Sequence, residues 1–168
     1  SIMFAADAVR CMRRGNGGGG GGGEDPYWSN VVSLLHFDGN YIDETGKTWA
    51  GIGDAQLTTD SFFGSGALYT PPTNQSALIS THSDFALGQD NFTVEMFVNT
   101  PDWSNAAVIS VAGLLFYFTS GRYTLFHPTA SNFLQPAVYV PLNTYHHIAF
   151  QRIGTVFSIY ASGIKIGE

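Results

Sequence analysis

The chain has 168 residues, of which 44% are hydrophobic, 14% aromatic and only 12% charged. That is one domain of ordinary size, and about 145 residues follow a glycine run, enough to bury roughly 70% of the unfolded surface without disulfides or a structural metal. Residues 1–23 carry three arginines against one aspartate, a net +2, whereas residues 24–168 carry four basic and twelve acidic groups, a net −8. So few charges exclude a salt-bridged helical bundle, a coiled coil or a disordered acidic tail. So acidic a body is a poor nucleic-acid binder, because phosphate contacts need clustered Lys and Arg. No apolar run approaches the ~20 residues of a membrane span. A secretory signal is also disfavoured, since SIMFAADAV precedes the arginines instead of following them.

The first fourteen residues, SIMFAADAVRCMRR, space Ile2, Ala5, Ala6, Val9 and Met12 near a helical repeat. They predict a short amphipathic helix, capped by Ser1, with arginines at its C-terminal end. Fourteen residues make no stable helix alone. The segment 1–14 is therefore expected to be a docking peptide that orders on a partner, through Ile2, Phe4, Val9, Met12, Arg13 and Arg14; the plainer alternative is a frayed end. Cys11 has no cysteine to pair with in the chain, which leaves a silent thiol or a bridge to another chain.

Gly15–Gly23 follows, with seven consecutive glycines. As a flexible coil such a run spans roughly 15–18 Å, and it predicts a tether over 15–23.

From residue 24 to 168 the chain reads as β structure. Strands are expected at 31–37, 76–80, 91–99, 106–113, 114–119, 122–127, 145–153 and 155–161, all rich in Val, Ile, Phe, Tyr and Thr. Turns fall at Gly88-Gln89, Ser120-Gly121, Ile153-Gly154 and Ser162-Gly163. Phe92, Val94, Met96 and Val98 share one face of their strand, and Thr93, Glu95, Phe97 and Asn99 the other. Many short strands with frequent turns predict an all-β antiparallel sandwich or jelly roll.

Several pieces together resemble laminin-G-like domains of the concanavalin A-like jelly-roll superfamily, most closely those of bacteriophage virion proteins. They are the opening DPYWSNVVSLLHFDGN, FFGSGALY, ALISTHSDFALGQDNFTVEMFVN and NTYHHIAFQRIGTVFSIYASGIKIGE. The resemblance covers roughly residues 25–168. It departs at Phe97, where the family usually has tryptophan, and at Ser162-Gly163, where Asn-Gly is usual. The family also continues beyond the last hairpin with closing strands, which the sequence to Glu168 is expected to lack.

Hydrolysis by this fold would need two carboxylates about 5–9.5 Å apart flanking the scissile bond. The strand 91–99 offers Glu95 alone, between Thr93 and Phe97, so Glu95 is expected to be a structural acceptor and the chain not an enzyme. His146 and His147 must point to opposite faces, and His36, His82 and His127 are scattered, so no zinc spacing exists. Calcium is the one metal with a case, because related folds hold it in rim loops. Asp38 and Asp43 in the loop 38–44 are the candidate ligands, with Asp84, Asp90 and Asn91 nearby in kind; the alternative is solvated turn acids. Trp103, Tyr123 and Tyr145 are the candidate ligand-binding aromatics, Trp103 as the exposed one beside Pro101 and Asp102.

The resemblance implies a multicopy virion-surface protein, a capsid or tail appendage attached to other virion proteins through residues 1–23. It would present a lectin-like domain to host or environmental glycans. A decoration protein that binds no sugar is the alternative, and a carbohydrate-active enzyme a distant third.

Overall fold

The computed structural model describes residues 2–5, 9–13, 28–71, 73, 76–102, 106–111, 114–127 and 132–168; at 2–5, 9–13, 106–111, 127, 132 and 133 only the backbone is described. The described residues are almost entirely β. In chain order the strands are β1 Ile2–Ala5, β2 Val9–Arg13, β3 Val31–Leu35, β4 Ala50–Ile52, β5 Gln56–Thr58, β6 Ala67–Thr70, β7 Ala77–Ile79 and β8 Phe92–Asn99. They continue with β9 Ala106–Val111, β10 Leu114–Thr119, β11 Arg122–His127, β12 Asn132–Leu134, β13 His146–Ile153, β14 Val156–Ala161 and β15 Ile164–Gly167. Two single 3-10 turns, Trp28–Asn30 and Ser83–Phe85, are the only helical pieces among the described residues.

The larger sheet runs β15-β14-β13-β8-β1-β6-β5, with β2 and β3 on the same side of β8 as β1. A second sheet runs β12-β11-β10-β9, and β4 pairs with β7 in a small ribbon. Every ladder between these strands is antiparallel. β8 and β13 form the longest pairing, from Phe92 opposite Arg152 to Val98 opposite His146.

Alternation along β8 is strict. Phe92, Val94, Met96 and Val98 are buried, while Thr93, Glu95, Phe97 and Asn99 lie on the other face half-buried. The buried face meets the second sheet: the Phe116 ring of β10 stacks on Phe150 of β13 at 5.2 Å, and Tyr123 of β11 meets His146 edge-on at 5.9 Å. One core joins Leu35, Phe37, Leu68, Leu87, Phe118, Leu125 and Ile159 to these residues.

Two hairpins use the turns expected from sequence. Ser120 and Gly121 have φ of 51° and 72°, and Ser162 and Gly163 have φ of 50° and 79°. Positive φ at both central residues is the mirror-image turn whose twist matches the strands it joins.

The first residues differ from expectation. Residues 1–14 were expected to form a helix docking on a partner. The backbone of Ile2, Phe4, Val9, Met12 and Arg13 instead belongs to β1 and β2, paired inside the chain's own sheet; Arg14 lies outside the described residues. β1 sets Phe4 opposite Val98 and Leu68, and β2 sets Arg10 opposite Glu95 and Leu34, and Cys11 opposite Val94 and Ser33. A four- to five-residue run flanked by two unpaired strands gains more from two ladders than from a marginal helix. The tether at 15–23 lies outside the described residues. The strands on either side of it, β2 and β3, are hydrogen-bonded neighbours.

Candidate functional site

The outward face of the β8–β13 pair carries a cluster of rings. Phe97 on β8 sits 5.3 Å from the His147 ring on β13. The hairpin loop between β5 and β6 reaches across β1's place in the sheet and lays Phe62 and Phe63 on this pair. Phe62 stacks on Phe97 at 5.3 Å and 20°, and lies 5.8 Å from Tyr145. Phe63 meets Phe97 edge-on at 4.9 Å and Phe62 at 4.5 Å. Phe62 remains 51% exposed and Phe63 40%. Two adjacent apolar rings left this open form a contiguous apolar patch, which makes the cluster the candidate contact surface.

Polar groups flank the rings. Glu95 approaches His147 at 3.4 Å, both half-buried. Along the same face Gln151 donates its amide to Thr93 Oγ1 at 3.0 Å. Rings with an acid and an imidazole beside them, and an amide and a hydroxyl about 13 Å further along the same face, offer both an apolar platform and groups for orienting a polar ligand.

The loop that displays Phe62 and Phe63 is held at three points. The Tyr145 hydroxyl donates to the Asp60 carbonyl at 2.8 Å. Burial, and then the Asp60 charge, push the Tyr145 pKa up to about 12, so the hydroxyl keeps its proton for that bond. Asp38 accepts from the Ser65 backbone N–H at 2.6 Å and from Ser65 Oγ at 3.1 Å. These bonds hold the Asp38 carboxyl below its ordinary value of 3.8. Gly66 lies so close to the Phe37 carbonyl that a Cβ there would collide with it. Phe37 itself is fully buried with a left-handed φ of 62°, a costly conformation that packing on both sides must maintain.

The expected site residues therefore divide. Tyr145 is at the cluster. Trp103 lies outside the described residues. Tyr123 does not fit a ligand role: it is 1% exposed, its ring packed on Phe118 and His146 in the core, and burial raises its pKa. It alternates inward on β11, toward the other sheet.

Asp43, expected as a calcium ligand, is buried and its oxygens already accept from protein donors. Oδ2 takes the Ser33 hydroxyl at 2.6 Å and the Trp49 indole N–H at 2.8 Å. Oδ1 takes the Thr45 N–H and hydroxyl at 2.8 and 2.7 Å and the Leu34 N–H at 3.2 Å. Burial alone would raise its pKa, but the bonds from Ser33, Thr45 and Trp49 outweigh it and hold the carboxyl below 3.8. Asp38 is committed to Ser65. Asp84 faces Lys47 at 3.2 Å, and Asn91 Oδ1 accepts the Gly154 N–H at 2.7 Å. Among the described residues no three His, Cys, Asp or Glu side chains gather to hold a metal.

His146 and His147 point to opposite faces, as strand alternation requires. His146 is buried, with Nδ1 at 3.0 Å from the Thr144 carbonyl and Nε2 without a partner. Burial lowers its pKa below 6.5, against the raising effect of that carbonyl.

Sequence reasoning missed Phe62, Phe63 and the part Phe97 and His147 take in the outer ring cluster. A signal was present: Phe62-Phe63 stands among Ser61, Gly64, Ser65 and Gly66, in a turn sequence with no alternation to bury both rings. No protein-family model matches this chain, and no curated protein or solved structure is significantly similar to it.

Proposed function

We propose that the chain is a non-enzymatic glycan-binding module. On this reading it is a laminin-G-like jelly-roll β-sandwich of the concanavalin A type, displayed in many copies on the surface of a phage virion. The observation that carries the binding role is the open ring cluster of Phe62, Phe63, Phe97 and Tyr145 beside Glu95 and His147. The apolar face of a sugar ring packs flat on such rings, and its hydroxyls pair with the flanking acid and imidazole. The virion setting rests on the laminin-G-like segments of the sequence. Multicopy display turns one shallow platform into useful avidity.

The test is a glycan array probed with the intact chain displayed multivalently, with calcium and with chelator. Binding that survives chelation and is lost in Phe62→Ser is expected, because the loop acids already have protein partners. No glycan bound at multivalent display would overturn the reading in favour of a decoration protein whose ring cluster contacts a neighbouring subunit.

A further inference from the structure

β1 and β2 are an obligatory interior part of the larger sheet. Along β8 they supply the whole ladder opposite β13, at Phe92–Glu95 through β2 and at Val98 and Asn99 through β1. β6, with β5 beyond it, joins the sheet only through β1, and β3 only through β2, among the described strands. Withdrawing residues 2–13 would leave three open strand edges, each a template for another strand. Whatever fills that slot must match the same register.

The covalent path from β2 to β3 is far longer than the pairing requires. Antiparallel neighbours are ordinarily joined by 2–5 residues. Here residues 14–30 intervene, and the stretch 14–27 before the 3-10 turn, eight of its residues glycine, reaches about 50 Å when extended. The connection therefore does not dictate which copy's β8 receives the strand. Charge acts the same way for any copy: residues 1–23 carry net +2, residues 24–168 carry net −8, and Arg10 stands opposite Glu95 in the ladder. The attraction between segment and body exists equally between two chains.

We propose that β1 and β2 are an exchangeable donor segment whose partner is a second copy of this chain. The strand of one copy completes the β8 edge of its neighbour in the register seen here, with Cys11 opposite Val94 and Met12 opposite Thr93. Exchange creates no new contact, so it is governed by concentration. In dilute solution the tethered strand, at an effective concentration of about 1 mM, closes its own sheet. Where copies are crowded on an assembly, neighbours compete on equal terms and the sheets become linked in trans. This inference is independent of the glycan reading.

The chain's single cysteine makes exchange visible. The donor is the unaltered chain. The acceptor carries Cys11→Ser with Val94→Cys, so that its only thiol lies in the receiving strand. The two full-length chains, of different tagged size, are unfolded together, refolded at total concentrations from about 10 μM to about 1 mM, and oxidised. A mixed disulfide dimer on a non-reducing gel is expected, rising at least tenfold across that range. Val94→Cys with Cys11 retained is expected to close within one chain in dilute solution. An acceptor with Cys11→Ser and Thr59→Cys, an exposed position outside the ladder, is expected to stay uncoupled. Should Val94→Cys fail to fold, Met12→Cys on the donor and Thr93→Cys on the acceptor, both in a Cys11→Ser background, test the same register from the half-buried face. A disulfide that closes in cis but never in trans at about 1 mM overturns the proposal. So does one that forms equally with Thr59→Cys, which would be random collision, and so does the absence of any bond in cis.

Discussion

Two sets of aromatic rings lie back to back on the β8–β13 ladder. On the inner face Phe92, Phe116, Phe118, Tyr123 and Phe150 are all 2% exposed or less and interlock with ring centroids 5.2–6.2 Å apart. On the outer face Phe62, Phe63, Phe97 and Tyr145 keep similar spacings of 4.5–5.8 Å, yet Phe62 and Phe63 stay open to solvent. Ring-to-ring geometry is therefore no guide to role; what lies over the rings is. The inner set lies between the two sheets, which supply it from both sides, and contributes to folding. The outer set is assembled by a loop, whose Phe62 and Phe63 cover Phe97 and remain partly exposed themselves.

The comparison breaks hardest at Phe150. Its ring stacks on Phe116 and meets Phe92 edge-on, so Phe150→Ala removes contacts from both sheets and leaves a cavity. A loss of about 3–5 kcal/mol of unfolding free energy is expected in urea titration. Phe62→Ala, on the outer face, should change stability by about 1 kcal/mol or less while abolishing ligand binding. Equal stability losses for the two would remove the distinction between core and platform.

Next in size is Asp43. Asp43→Asn conserves shape but turns one acceptor oxygen into an N–H₂ facing donors from Ser33, Leu34, Thr45 or Trp49. A cost of about 3 kcal/mol is expected from denaturant unfolding at pH 7. Because the folded carboxyl is held below 3.8, the wild-type advantage is full above the unfolded pKa and fades as pH falls through the folded one. The two proteins should converge in acid, and a gap that persists there would mean the charge is not what the five donors hold.

Much of the inner face was legible in the sequence, and little of the outer. The strands at 31–35, 92–99, 114–119, 122–127, 146–153 and 156–161 fall inside or on expected runs because alternation and β-branched composition are local signals. Phe92, Val94, Met96 and Val98 were placed on one face by period alone. β1 and β2 were misread as a helix because Ile2, Val9 and Met12 fit a 3.6-residue spacing by chance; their ladders are made by residues 67–70, 31–35 and 92–99, which no local window contains. β7, at 77–79, also falls inside an expected run, 76–80, whereas β4, β5 and β12 are three-residue strands, too short for a period to show. Tyr123 and Asp43 failed as site residues for a common reason. Residue type was used for each, and burial, which decides whether a ring or a carboxylate can reach a ligand, depends on the fold. Phe62 and Phe63 gain their meaning only from Phe97 and Tyr145, which are distant in sequence.

His146 sharpens the two-face comparison by pH. Inner His146 has its pKa lowered by burial, so the folded state resists a proton that the unfolded state accepts. The stability it leaves intact above about pH 6.5 is lost as pH falls below that value toward the folded pKa, on the order of 1 kcal/mol. His146→Leu should flatten that part of the pH–stability curve between pH 7 and pH 5, with no effect on ligand binding at pH 7. A slope unchanged in His146→Leu would assign the titration to other groups.

The smallest expected effect on stability is at Asp38, and it is the most informative about the platform. Asp38 is exposed and touches no ring, but its carboxylate fixes Ser65 in the loop that carries Phe62 and Phe63. Asp38→Ala should leave the denaturant unfolding midpoint close to that of wild type. It should nevertheless weaken ligand binding, because the two rings then sample positions off Phe97 and ordering them falls to the ligand. Rescue by Asp38→Asn, whose side-chain oxygen still accepts from the Ser65 N–H, separates loop positioning from charge. If Asp38→Ala binds as wild type does, then the Tyr145–Asp60 bond and the packing of Gly66 on Phe37 suffice to hold the loop, and the platform is set by the sheet rather than by its hairpin.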